Sequence, residues 1–388
     1  MLPRHSSTFR TALAVALACA LLSSCDRRFT PLRIDRNGLV PAGAHLPFRF
    51  QPLDDPQLDE LAAREHLRDV APPDLRQFDR ILRVKDWVNA QWPDGTPDPY
   101  PPWNAMTILD WIRSGRTGGF CGQYSQVLLQ SLAALGFTAR YVEIGMADNP
   151  YAHYVTEVWS NDYDKWVLLD ADYNVYFARD GVPLSAMEIH DALLGDALDR
   201  VEAVRGTVRD DHVSTDHWPQ KTAELYRYVR YHLKANHLTK PNEAPFERFS
   251  DMIEFEDPRV VPWERSPVIS QYPKERLTER RTGNRDAIAA PLNQVRIDVL
   301  RNTASGVVLG LRHSVLQLDR YEFRVVDAAG NTDGWHALRE PQLAWPSPAA
   351  GSSVEVRGVN VRGIAGPIAK ISVDVPAPPR PESDLVTP

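Results

Sequence analysis

Cys121, His153 and Asp170 follow one another at intervals of 32 and 17 positions, and a thiol, an imidazole and a carboxylate in that set can do acyl chemistry. A thiol attacks a carbonyl carbon well when a base takes or holds its proton, and the base works best when a third group fixes its other ring nitrogen. Cys121 lies in Thr117-Gly118-Gly119-Phe120-Cys121-Gly122-Gln123-Tyr124-Ser125, flanked by glycines and polar residues, and a helix-like pattern starts directly after it. The other two cysteines, Cys19 and Cys25, lie in an N-terminal segment with the character of an export signal, which leaves the mature chain no pair for an internal disulfide. A lone thiol in an oxidising compartment is a chemical liability, so its retention here points to a reactive role.

The elements needed to position these groups are legible around them. A thiol at a helix start gains from the macrodipole and from unpaired N–H groups, which favour thiolate and could also hold a carbonyl oxyanion. Gly118, Gly119 and Gly122 allow a tight turn and close approach of a substrate. His153 opens a strand over Tyr154–Trp159, and Asp170 closes one over Trp166–Leu169, with Asn161-Asp162-Tyr163-Asp164 as the hairpin turn between them. Antiparallel pairing sets the start of the first strand against the end of the second, so His153 and Asp170 are expected to meet. Asp172 is the other candidate orienter; Asp170 is preferred because it directly follows the apolar run.

Upstream, Leu75, Phe78, Ile81, Leu82 and Val88 recur at helical spacing after Pro72 and Pro73, with Asp74 as N-cap. A Pro-rich break from Pro93 to Pro102 precedes a second stripe, Ala105, Ile108, Leu109 and Ile112. Val127, Leu128, Leu129, Leu132 and Leu135 predict a buried helix after Cys121 that Gly136 ends as a C′ residue. Strands follow from Thr138 to Ile144 and in the hairpin, making an α+β unit over 58–239. Leu225, Tyr228, Val229, His232 and Leu233 suggest one more helix, and 240–290 reads as a Pro-rich linker or a wrap over the first domain. From 291 to 375, runs such as Val295-Ile297-Val299 and Val307-Leu309-Leu311 alternate between turn signals, which predicts an all-β, immunoglobulin-like sandwich that folds independently. A Pro-rich tail, 376–388, ends the chain.

The first residues carry Arg4, His5 and Arg10, then an apolar run from Ala12 to Leu22, too short to span a bilayer. Its ending, Leu22-Ser23-Ser24-Cys25, resembles a bacterial lipobox, which implies a signal peptide over 1–24, acylation of Cys25 and a tether over 25–57. Asp26 then favours retention in the inner membrane, on its periplasmic side; the outer membrane is the other destination. With 44 basic and 51 acidic residues and a net charge of −7, there is no global attraction to phosphate backbones, and nucleic acid is not an expected partner.

The motifs together resemble the bacterial transglutaminase-like proteins, relatives of papain-like cysteine peptidases. The resemblance rests on Gly119–Ser125 with Leu135-Gly136-Phe137-Thr138-Ala139-Arg140-Tyr141-Val142, on His153 leading into Glu157-Val158-Trp159, and on Trp166-Val167-Leu168-Leu169-Asp170. It covers roughly Asp55 to Phe177 and implies Cys121 as nucleophile, His153 as base and acid, and Asp170 as orienter. In relatives an upstream side chain completes the oxyanion hole; Gln91, Trp92, Trp103 and Asn104 are the positional candidates.

No cofactor is expected. Asp170-x-Asp172-x-Asn174 starts like a calcium loop but lacks the glycine and the closing glutamate, and the pairs His212/His217 and His232/His237 have the wrong spacing for zinc. The leading expectation is a thiol enzyme that cleaves or transfers an amide or peptide bond of a peptide, protein or cell-envelope substrate through a thioester. The alternative is a non-catalytic binding or scaffolding lipoprotein of a cell-envelope or exopolysaccharide assembly, with the sandwich contacting a protein or glycan.

Overall fold

The computed structural model describes residues 30–39, 46–147, 153–206, 222–241, 251–261, 280–303 and 306–375. Cys25, expected as a lipidation site, the expected leader over 1–24 and the Pro-rich tail lie outside them, as do His212 and His217.

Five helices run between Pro56 and Ala134. Helix α1 (Pro56–Arg64) has Asp55 as N-cap, accepting from the Gln57 N–H, with proline at its first position. The one-turn α2 (Leu67–Val70) leads to α3 (Gln77–Asn89), whose cap is not Asp74. Asp162, in the distant hairpin turn, accepts from the Phe78 N–H at 2.7 Å instead. A tertiary contact thus supplies the acceptor expected from Asp74. Helix α4 (Ala105–Arg113) is capped by Asn104, which accepts from the Thr107 N–H. All fourteen residues of α5 (Cys121–Ala134) are buried. It ends as expected at Gly136, whose φ of +92° suits glycine and lets the Phe137 N–H return to the Leu132 carbonyl.

The helices cover one face of a six-stranded sheet. Its chain-order members are β2 (Ala139–Gly145), β3 (His153–Ser160), β4 (Lys165–Leu169), β8 (Tyr228–His232), β9 (Met252–Phe255) and β10 (Arg281–Thr282). Their spatial order is β10-β9-β8-β2-β3-β4, antiparallel throughout except for β10 against β9. The opposite face is covered by a small sheet of β5 (Val175–Arg179), β6 (Val182–Pro183) and β7 (Glu202–Arg205), and by α6 (Ala186–Leu194). One expectation is corrected here. The stretch expected as a helix around Leu225–Leu233 contains strand β8, every residue of which is buried. A strand buried on both faces has no alternation to reveal it, and its apolar positions fit helical spacing by coincidence. The span 240–290, expected as a Pro-rich linker or a wrap over the first domain, contributes β9, β10 and the short helix α7 (Arg285–Ile288) to this domain.

The C-terminal region is a β-sandwich. One sheet has the order β1-β17-β16-β13-β14 and the other β11-β12-β15, and side chains of both, from Val295 and Leu309 to Trp345 and Ile371, share one core. Their ranges are β11 (Val295–Thr303), β12 (Gly306–His313), β13 (Leu318–Val326), β14 (His336–Leu338), β15 (Gln342–Pro346), β16 (Ser353–Asn360) and β17 (Ala369–Val373). Strand β1 (Leu32–Arg36) lies within the expected tether, yet it pairs antiparallel with β17, Leu32 facing Val373. The sandwich is therefore closed by residues that precede the first helix, and Ile364 at its edge is buried in the helical core.

Candidate active site

The thiol of Cys121 stands at the first position of α5 and is 6% exposed; it is the only cysteine among the described residues. Phenylalanine at the N-cap has no acceptor to offer, so the Gln123 side chain turns back and accepts from the Phe120 N–H at 3.2 Å. The N–H groups of Cys121 and Gly122, in the first turn, have no partner within the helix. Two bonds seat this end of α5 on the sheet: Tyr141 Oη donates to the Gly122 carbonyl at 2.9 Å, and Thr156 Oγ1 donates to the Ser125 carbonyl at 3.1 Å.

The glycines before the thiol are there for protein rather than substrate. A Cβ at Gly119 would lie 2.6 Å from Ile112 Cδ1 and 2.7 Å from Trp92 Nε1, and one at Gly118 only 2.5 Å from the Thr96 carbonyl oxygen. The segment 95–96 runs against the loop, with the Gly95 N–H donating to Gly119 and the Gly118 N–H to Thr96.

His153 opens β3 and is buried; its Nε2 lies 2.7 Å from Asp170 Oδ2. The other carboxylate oxygen, Oδ1, accepts from the N–H groups of Asp172 and Tyr173, both at 3.0 Å, which locks the carboxylate plane. The strand register explains how two aspartates approach one ring. Thr156 faces Leu169 and Val158 faces Val167, so continuing that register sets His153 across from Asp172 and Val155 across from Asp170. Side chains alternate along a strand, so Asp170 and Asp172 both project to the side of His153, and Asp170 reaches it diagonally. The chain then turns away, with Asp170 and Val175 exchanging backbone bonds.

With Nε2 on Asp170, Nδ1 is the ring nitrogen left for the thiol. Burial pulls the pKa of the ring down, but the charge and hydrogen bond of Asp170, together with the hydrogen bond from Cys121, outweigh it and hold the imidazole well above its ordinary value. Cys121 Sγ, a ring nitrogen of His153 and a carboxylate oxygen of Asp172 all lie within 4.8 Å of one another. For Asp172, burial first and then the neighbouring Asp170 push the pKa up to about 6. These three ligand types could close on a soft divalent cation. A calcium loop is a different matter: Asp170 is spent on His153 and the turn, and Asn174 Oδ1 accepts from Lys85 Nζ.

None of the oxyanion candidates directs its polar atoms at the thiol in a hydrogen bond. Gln91 bonds the Trp87 carbonyl and accepts from Arg113, Trp92 Nε1 donates to the Gly119 carbonyl at 3.3 Å while its ring stacks on Tyr124, Trp103 Nε1 donates to Tyr100 Oη at 3.2 Å, and Asn104 caps α4. Trp92 comes nearest in role, since it braces the loop that carries Cys121.

Other residues of the site carry no motif. Tyr173 stacks on the His153 ring at 4.8 Å. From α3, the fully buried Lys85 bonds Asn174, and Asn89 Nδ2 donates to the carbonyls of Ala171 and Asp172, both at 2.9 Å. The signal for Lys85 and Asn89 was the break in the apolar stripe: two polar residues one turn apart, between Ile81 and Val88 or just after it, on a helix that had to pack.

A helical layer on an antiparallel sheet, with a thiol at a helix start and a histidine and aspartate on adjacent strands, defines a cysteine-enzyme fold of papain type. Residues 65–171 match the family model of the transglutaminase-like superfamily, so this part of the chain is a transglutaminase-like domain, and the match holds Cys121, His153 and Asp170. No curated protein matches the chain.

Proposed function

We propose that the protein is a thiol enzyme that cleaves or transfers an amide bond through a thioester on Cys121. The observation that carries this is the 2.7 Å bond from His153 Nε2 to a buried, doubly anchored Asp170, beside a thiol at a helix start. Cys121 Sγ attacks the carbonyl carbon, and the oxyanion forms near the first-turn N–H groups of α5. His153, protonated through its raised pKa, gives its proton to the leaving nitrogen as the C–N bond breaks. Water or an amine then attacks the thioester, His153 takes its proton, and the C–S bond breaks to release the Cys121 sulfur as thiolate beside the again protonated ring. Bulk water prevails unless an amine is held in place, which favours hydrolysis. In this reading acylated Cys25 anchors the enzyme at the periplasmic face of a membrane, where peptides and cell-envelope amides are within reach.

The test is to incubate wild type and Cys121→Ala with a panel of peptides and glutamine amides, following amine release and the mass of the Cys121 peptide. The reading expects turnover and an acyl adduct on Cys121 in wild type only. Undiminished turnover in Cys121→Ala would sink it.

A further inference from the structure

A cavity of about 450 Å³ lies between the helical layer and the sandwich, at the end of α5 remote from the thiol. The fourteen residues of α5 put roughly 20 Å between the two places. Arg68, Arg76, Arg80 and Arg362 line the cavity, with Asp162 as the carboxylate among the lining residues. In a chain of net charge −7, four arginines around one cavity are not a matter of bulk composition.

Two of these cations are already neutralised. Arg76 Nε lies 3.1 Å from Asp162, and Arg362 pairs with Asp59. Arg68 and Arg80 have no carboxylate within ion-pair distance among the described residues. Arg80 is 8% exposed; its Nε donates to the Ala71 carbonyl at 3.2 Å, and its guanidinium lies over the Phe137 ring at 5.1 Å. Burial, and then the charge of Arg68, pull its pKa below the ordinary arginine range, as expected of a cation without a counter-ion. Holding such a charge in a protein wall is costly, and an anion in the cavity offsets the cost.

We propose that this cavity binds a small phosphate ester, with the phosphate between Arg68 and Arg80 and the organic part against Leu135 and Ile364. Two uncompensated guanidiniums match a phosphate monoester better than a single carboxylate, because it brings close to two negative charges and three oxygens for planar N–H donors. The volume falls in the range of small-molecule sites. Arg362 and Ile364 belong to the sandwich and Arg68 and Arg80 to the helices, so the ligand bridges the two units and raises the stability of their union.

Calorimetric titration of the purified protein at low salt with glucose 6-phosphate, inorganic phosphate and glucose tests this. Glucose 6-phosphate is expected to bind saturably at one site and more tightly than inorganic phosphate, with no binding of glucose. Arg68→Gln and Arg80→Met should each weaken the ester by about tenfold or more. Arg68 is exposed, so Arg68→Gln carries the test should Arg80→Met fail to fold. Absence of saturable binding, equal affinity for ester and inorganic phosphate, or unchanged affinity in Arg68→Gln overturns the proposal.

Discussion

His153 has one carboxylate bonded to its ring and a second within reach of the thiol, and the two aspartates carry different consequences. Asp170 is committed by three hydrogen bonds, while Asp172 has its pKa pushed up to about 6 by burial and by Asp170. Because that folded value lies above the ordinary carboxyl value of 3.8, protonation favours the folded state. The stability it gives is full below the unfolded pKa and is lost as pH rises through about 6. Asp172→Asn removes this dependence, so its urea midpoint relative to wild type should climb between about pH 4 and about pH 7. A flat difference would contradict the assignment. The close grouping of Cys121, His153 and Asp172 gives a second expectation: micromolar Zn²⁺ slows alkylation of Cys121 and a chelator restores it. If chelator alone abolished activity, the site would instead depend on a metal. The order and neighbours of Cys121, His153 and Asp170 were readable because the reaction demands those residue types. Lys85 and Asn89 left only a break in the apolar stripe of their helix, and Tyr173 left no signal, since nothing in a linear pattern says which residue of a turn will fold back over a ring.

The hairpin of β3 and β4 and helix α5 form the working frame, and one buried pair ties the frame to its surroundings. Arg140 on β2 bonds Glu157 on β3 through Nε and a terminal nitrogen at 2.8 and 2.6 Å, donates to the Ile288 carbonyl, and sits 4.0 Å from the centre of the Trp166 ring. Glu157 also accepts from the Ala186 N–H at the start of α6. Glu157→Gln leaves Arg140 buried without a counter-charge and should cost about 3–5 kcal/mol in urea unfolding. A loss below about 1 kcal/mol would mean the pair contributes no more than a surface bridge. At this scale the α+β order, the buried helix after Cys121 and the hairpin were legible from periodicity and turn residues. The misreading of Tyr228–His232 has a physical cause: five residues buried on both faces carry no period of two.

Across the whole molecule, the sequence divides the chain into consecutive units and the structure interleaves them. Strand β1 belongs to the sandwich, Ile364 to the helical core, and Asn360 Nδ2 donates to the Gly136 carbonyl at the end of α5. Alternating strands announce a sandwich, but no local pattern announces that a strand near the start of the chain will pair with its last strand, Leu32 against Val373, because register between distant edges is set by tertiary packing. These ties set one cooperative unit as the expectation, against the independent folding expected for 291–375 from its sequence. Calorimetry should give a single transition for the full chain, and Ile364→Ala should lower its midpoint, costing about 2–5 kcal/mol. Two separate transitions, only one of them moved by Ile364→Ala, would restore the picture of independent domains.

The central claim is that His153, held by Asp170, governs the chemistry of Cys121. The most direct measurement is the rate of Cys121 alkylation by iodoacetamide across a pH series for wild type, His153→Ala and Asp170→Asn, with folding checked by circular dichroism. Near pH 6 the account predicts that His153→Ala reacts at least about tenfold more slowly than wild type, with Asp170→Asn between the two. A pH–rate curve for folded His153→Ala that overlays wild type would contradict it.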